Sequence, residues 1–194
     1  MTRRDYVFGF GSLVDLEALA DYLDREPIAD HEFERCRLHD HRRAWNIARD
    51  NSEIVPGHDH LVCAVSGERL DGYVAVVNIR TAPGHTVNGI AFRVSDAELA
   101  ILDRRERNYD RIDVTGRLDV AVDSRVWAYR GKPAAEARYA KGAATGTAFI
   151  NSAYHTLIHL AFESHGPDFL ADYLASTDSP EIPLRPLRRV PTPL

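Results

Sequence analysis

Tyr6-Val7-Phe8-Gly9-Phe10-Gly11-Ser12-Leu13 is a stretch whose backbone alone could do chemistry. It reads as a short apolar strand that breaks at two glycines and runs into a helix. Glycine lets main-chain N–H groups approach a ligand with no Cβ in the way. The helix that follows offers unpaired donors and the positive end of its dipole. A substrate carboxylate fits such a bend without any Lys or Arg. A dinucleotide site would need G-x-G-x-x-G within a βαβ unit. Gly9 and Gly11 fit that pattern, but Val14 occupies the third position and several strands follow with no helix between them. Nicotinamide and flavin binding are set aside on that ground. Two spaced glycines also suit a plain tight turn.

The second chemical feature is a carboxylate in an unusual place. Ser95-Asp96-Ala97-Glu98 is a capping box, in which the Ser hydroxyl and the Glu side chain satisfy each other's backbone donors. The helix it starts is predicted to run to about Glu106, with Asn108 marking its exit. Leu99, Leu102 and Glu106 fall at i, i+3 and i+7 and share one face, while Arg104, Arg105 and Arg107 are expected to point elsewhere. A glutamate thus ends an apolar stripe, in the last turn, where the negative end of the dipole disfavours it. Burial and the dipole both raise its pKa above the free value of about 4.3. Such a group can accept and return a proton near neutral pH. The competing reading is a glutamate paired with a nearby arginine at a solvated helix end.

Histidines invite a metal. His39-Asp40-His41 and His58-Asp59-His60 bring two imidazoles and a carboxylate together in sequence, a set that suits zinc or iron. Neighbours in a strand point to opposite faces, so the middle Asp could not join the two His. His155 and His159 stand at i and i+4, but Thr156 follows His155 where a zincin needs Glu. These residues are expected to be solvated or packing histidines, and no metal is predicted.

The elements that must position these groups follow from periodicity and punctuation. Asp15 caps a helix with Leu16, Leu19, Ala20 and Leu23 on its apolar face, and Pro27 ends that region. Residues 32–47 form one or two strands and 51–60 a loop with Pro56-Gly57. Strands are predicted at 61–65, 72–79 and 87–94, with Gly89 marking a bulge or a close backbone approach. A strand at 109–114 and two short ones ending near Tyr129 come next, then a helix at 134–140. Asn151 caps a helix through Phe162, and a short helix covers 168–175. Strands dominate the middle and helices the ends. That predicts an α+β fold: a small mixed or antiparallel β-barrel with flanking helices. Residues 1–178 are expected to form one domain. Residues 179–194 hold five of the ten prolines and are expected to lie extended along the surface with no regular structure.

Composition narrows the partners. A chain of 194 residues can bury a full core. The balance of 44% hydrophobic to 27% charged argues against disorder, and a net charge of −5 gives no support for a nucleic-acid surface. No apolar run approaches membrane-spanning length, and Met1-Thr2-Arg3-Arg4-Asp5 leads into the first strand without the apolar segment of a signal peptide. Cys36 and Cys63 sit in strand contexts and read as reduced core thiols of a cytoplasmic protein, although sequence leaves a disulfide between them open. The oligomeric state is not specified.

Val7-Phe8-Gly9-Phe10-Gly11-Ser12-Leu13, then Val87-Asn88-Gly89-Ile90-Ala91-Phe92, then Leu102-Asp103-Arg104-Arg105-Glu106-Arg107-Asn108-Tyr109, then Asn151-Ser152-Ala153-Tyr154 stand in that order. Together they resemble the gamma-glutamylcyclotransferase family, with its N-terminal Gly-Ser loop, Gly-interrupted strand, L-D-x-x-E helix and S-x-x-Y helix start. The resemblance implies a cofactor-free and metal-free cleavage, lyase-type in outcome. The α-amine of a γ-glutamyl amide attacks its own side-chain carbonyl, 5-oxoproline forms, and an amine, amino acid or peptide leaves. It implies that Gly9, Phe10, Gly11, Ser12 and Leu13 hold the γ-glutamyl group through backbone N–H groups, that Glu106 is the acid/base, and that Tyr109 and Tyr154 line the pocket. A tethered nucleophile, one carboxylate serving both proton transfers and an N–H-lined oxyanion site would together suffice. The family loop usually carries tyrosine where Phe10 stands, so one hydroxyl is missing. Leu13 and the run Asp103 to Glu106 lean toward the glutathione-specific branch. The alternative is a catalytically silent relative that binds a small carboxylate ligand in the same pocket.

Overall fold

The computed structural model describes residues 4–26, 28–53 and 59–192. Pro27, Pro56-Gly57 and His58, each given a role from sequence, lie outside the described residues. The fold is α+β. Strand β1 (Asp5–Gly9) is flanked by β4 (Tyr73–Val94), antiparallel, and by β6 (Val126–Gly131), parallel. β2 (Phe33–Asp50) runs antiparallel along β4 over nearly its whole length. β5 (Tyr109–Asp113) extends the sheet beyond β6, and the start of β4 pairs in parallel with β7 (Ala148–Asn151). The pairing path of this seven-stranded mixed sheet goes from β5 to β8 (Leu184–Arg185), and among the described residues no pair joins those two ends.

The strands predicted at 72–79 and 87–94 are one element. Pro83 and Gly84 sit at a bulge in this element, where the register shifts between His39 and His41. Asp40 takes a left-handed φ of 59° there, and its carboxylate accepts the Gly84 N–H at 3.1 Å. Pro83 is tolerated because a bulge needs no ladder donor from it. Gly89 does mark a close approach: a Cβ on it would lie 2.2 Å from the Gly9 carbonyl oxygen. That contact presses the end of β1 onto β4 and fixes where the N-terminal bend begins.

Among the described residues, five α-helices accompany the sheet. Asp15 caps α1 (Leu16–Leu23) by accepting the Ala18 N–H at 3.1 Å. The Ser95/Glu98 box starts α2 (Asp96–Arg105), and Asn151 caps α4 (Ser152–Glu163) by accepting the Ala153 N–H. α5 (Pro167–Ala175) follows as expected. α3 (Pro133–Thr145) is longer than the predicted 134–140, and Gly142 within it packs tightly on Tyr73 and Ala148. Of the two short strands expected before Tyr129, only β6 forms; residues 116–124 contribute a single bridge, Leu118 to Leu38. Phe8, Leu38, Ile79, Ile90, Phe92, Leu102 and Phe162 are fully buried between sheet and helices, and removal of this apolar area from water drives the assembly.

The proline-rich tail differs most from its sequence expectation. Its residues form β8, paired in parallel with β7, and β9 (Leu187–Val190), paired antiparallel with β3 (His60–Cys63). The Pro183 carbonyl accepts the Ile150 N–H at 2.9 Å and the Pro186 carbonyl accepts the Ala64 N–H at 2.8 Å. Proline lacks a donor but keeps its acceptor, so prolines at the strand ends anchor the segment. Both cysteines are free thiols, Cys36 buried and Cys63 half-buried, and burial pushes the Cys36 thiol up to about 12. Among the described residues, no helix is long and apolar enough to cross a membrane.

Candidate active site

The bend after β1 is tighter than a strand running straight into a helix. A single 3-10 turn, Ser12–Val14, intervenes before α1 and is closed by the Val14 N–H donating to the Gly11 carbonyl at 3.0 Å. The first donors of such a turn have no partner within it. A Cβ on Gly11 would stand 2.6 Å from Val77 Cγ1, so only glycine lets the bend lie flat on β4. Phe10, Gly11, Ser12 and Leu13 line a cavity of about 670 Å³. Gly9 does not line it; its carbonyl abuts Gly89, and it serves to set the bend.

Glu106 caps the C-terminal end of α2 and lines the same cavity, its side chain 13% exposed. Leu99 and Leu102 on its face are buried. Burial pushes the Glu106 carboxyl above the ordinary carboxylate range, although Arg105 pulls it down. Arg105 does not point elsewhere: it lines the cavity, pairs with Glu106, and lies 3.8 Å over the Tyr22 ring. Its Nη2 reaches the Ser12 hydroxyl at 3.4 Å. Inward burial and arginine pairing, opposed readings of Glu106 in the sequence, therefore coexist. Arg107 lines the cavity as well. Asp103, by contrast, is occupied in the framework, accepting from the Tyr129 hydroxyl at 2.8 Å and pairing with Arg111.

Tyr109 and Tyr154 complete the wall. The Tyr109 hydroxyl donates to the Val77 carbonyl at 2.6 Å, and burial, reinforced by Tyr154 and Glu106, holds its proton far more tightly than usual. Tyr154 is raised first by burial and then by Glu106, with Arg105 and the Ser12 hydroxyl pulling the other way. Both phenols stay protonated at neutral pH; Tyr109 spends its hydrogen on Val77 and can only accept, which leaves Tyr154 able to donate. Tyr154 also meets the Trp45 ring edge-on at 6.0 Å.

Sequence reasoning missed Arg43, which is fully buried directly behind the bend. Its Nε donates to the Phe10 carbonyl at 2.7 Å, and its other nitrogens to Asn88, Ser176, Thr177 and the Tyr173 carbonyl. The rings of Phe162 and Tyr173 lie 4.7 and 4.8 Å from its guanidinium carbon. Burial pulls its proton affinity down to about 9. A signal existed: on a strand of period two, Arg43 falls on the same parity as the aromatic Trp45.

Three of the singled-out histidines have structural roles. His41 is buried with Nδ1 2.8 Å from the His39 carbonyl, His60 Nδ1 is 3.0 Å from the Thr192 hydroxyl, and His155 stacks on Trp45. Among the described residues no cluster of His, Cys, Asp and Glu could hold a metal ion.

The model of the family described as Gamma-glutamyl cyclotransferase, AIG2-like, matches residues 7–146. A solved structure described as a gamma-glutamyl cyclotransferase superposes with a TM-score of 0.50 at 12% identity, covering 94% of each chain. The crystal structure of an uncharacterized protein from Homo sapiens gives 0.50 at 14% identity over 92% of this chain and 93% of that one. These likenesses concern the fold. No curated protein sequence matches the chain.

Proposed function

The chain belongs to the Gamma-glutamyl cyclotransferase, AIG2-like family, and from that premise we propose that it is a cofactor-independent γ-glutamyl cyclotransferase releasing 5-oxoproline. The observation that carries the reading is Glu106: a carboxylate of raised proton affinity, inside the cavity, linked through Arg105 to the Ser12 of the glycine bend. Phe10, Gly11, Ser12 and Leu13 receive the γ-glutamyl group. Glu106 takes a proton from the α-ammonium, and the freed amine attacks the γ-glutamyl amide carbon. Ring closure costs little translational freedom because the nucleophile is tethered. Negative charge on the amide oxygen is met by main-chain N–H groups of the 3-10 turn. Glu106 then returns its proton to the amide nitrogen, the C–N bond breaks, the amine leaves, and the ring nitrogen gives its second proton to the ionised Glu106 to leave the neutral lactam. Tyr154, held protonated, supplies the hydroxyl that Phe10 cannot, and Tyr109 lines the wall beside it. Leu13 and the Asp103 to Glu106 run favour glutathione-like substrates within the family.

The test is incubation of the protein with glutathione, γ-glutamyl amino acids and γ-glutamylamines, scored for 5-oxoproline. Release from at least one, well above the uncatalysed rate, is expected. No release from any member of the panel refutes the cyclotransferase and leaves a carboxylate-binding relative, the role that Phe10 in place of tyrosine would suit.

A further inference from the structure

The cavity has a second end, remote from the glycine bend, where Arg49 and Asp59 meet Arg189, the last of these from beyond the family match. Arg49, near the end of β2, pairs in register with Val74, three residues along β4 from the Val77 that lies under Gly11. At roughly 3.3 Å per residue that is about 10 Å of backbone, and the odd offset turns the Arg49 and Val77 side chains to opposite faces of the sheet, so the cavity passes around the β4 edge. Arg189, on β9, pairs with Leu61 of β3, and both arginines line the cavity. The β9 strand lies beyond residue 146, where the family match stops.

We propose that Arg49 and Arg189 form an anion subsite at this end of the cavity, reading a carboxylate carried by the amine that leaves; the inference rests on the cyclotransferase reading above. The two guanidinium groups are close enough to disfavour each other. Arg49 is half-buried, and its proton affinity is pulled down first by burial and then by Arg189, with Asp59 opposing. Asp59 gives Arg49 its main-chain carbonyl at 3.5 Å, and Asp50 is engaged with the Ser52 N–H at 2.8 Å. Among the described residues no carboxylate forms an ion pair with either guanidinium. An anion between the two relieves the repulsion and supplies the missing acceptors. A γ-glutamyl di- or tripeptide carries a terminal carboxylate that such a subsite would read, whereas a plain γ-glutamylamine offers nothing there.

The experiment compares γ-glutamylalanine with γ-glutamylalaninamide, which differ in that one charge. In the parent protein kcat/KM is expected to favour the acid at least tenfold. Arg189→Gln, and separately Arg49→Gln, should bring the ratio toward one, chiefly through KM. Arg188→Gln is the control, since its guanidinium lies beside Gly67 on the other side of the strand, and it should keep the parental ratio. Turnover of both substrates at a parental ratio near one, or a ratio that survives in Arg189→Gln, overturns the subsite while leaving the cyclotransferase intact. Absence of turnover overturns the cyclotransferase reading separately. Calorimetric binding of the same two compounds then decides the subsite: tighter binding of the acid, lost in Arg189→Gln, keeps it, and equal or undetectable binding ends it.

Discussion

Arg43 and Arg105 grip the same bend, one from the core and the other from the cavity. Arg43 holds the Phe10 carbonyl and is surrounded by neutral acceptors and two aromatic rings. Arg105 touches the Ser12 hydroxyl and pairs with Glu106, with 28% of its side chain exposed. Burial pulls the Arg105 guanidinium down, but Glu106, Tyr22 and Tyr154 together outweigh it and its proton is held more tightly than usual. For Arg43, burial has no comparable opponent. The contrast separates two tasks. Behind the bend a cation serves as a multi-pronged donor that fixes backbone, and nothing titrates beside it near neutral pH. In front, a cation accompanies a carboxylate whose proton can come and go.

The comparison breaks most visibly if the rear cation is removed. Arg43→Ala should destabilise the protein by about 3 kcal/mol or more, since at least two buried carbonyls lose their donor at roughly 1–3 kcal/mol each and a void opens. Denaturant unfolding measures this, and a loss below about 1 kcal/mol would mean that Arg43 is dispensable to the scaffold. Removing the front carboxylate should do the reverse. Glu106→Gln is expected to lower 5-oxoproline release by about 10²- to 10⁴-fold while the protein still folds, as read by a cooperative thermal transition. Parental turnover in that variant would erase the division of labour.

A pH profile sharpens the same contrast. Glu106 accepts a proton only when ionised, and its proton affinity is raised, so kcat/KM should climb with pH through a midpoint above the ordinary glutamate value of about 4.3. A midpoint at or below that value would contradict the burial argument. The linked effect on stability has the opposite sign. In this window the folded state binds more protons at Glu106 than the unfolded state does, so this group's contribution weakens the fold as pH rises through its folded-state pKa. Glu106→Gln should lack that component. The smallest effect belongs to Tyr109→Phe, which loses one hydrogen bond to the Val77 carbonyl. It should cost about 1 kcal/mol in stability and lower turnover far less than Glu106→Gln.

What was legible in the sequence was local. Caps at Asp15, Ser95 and Asn151 announce their helices because the capping side chain and the N–H it accepts from are neighbours in the chain. Glu106 was found by helical periodicity, which is also local. Arg105 was misplaced because it stands at the edge of that stripe, and only the approach of Tyr22 and Ser12 from other elements turns it inward. Arg43 was hidden for the same reason: its partners at residues 10, 88, 173, 176 and 177 are scattered along the chain. The tail was misjudged because proline content reports on donors, while Pro183 and Pro186 contribute acceptors. A ladder with β3 cannot be read from residues so far apart.

The pairing of β9 with β3 joins segments separated by well over half the chain. Contacts of such long range form late in folding. A nascent chain extended through α5 already carries the glycine bend, Arg43 and Glu106, yet Arg189 has still to arrive. One wall of the cavity is thus the last part to be made, and until it docks, the floor around Glu106 stands open to water.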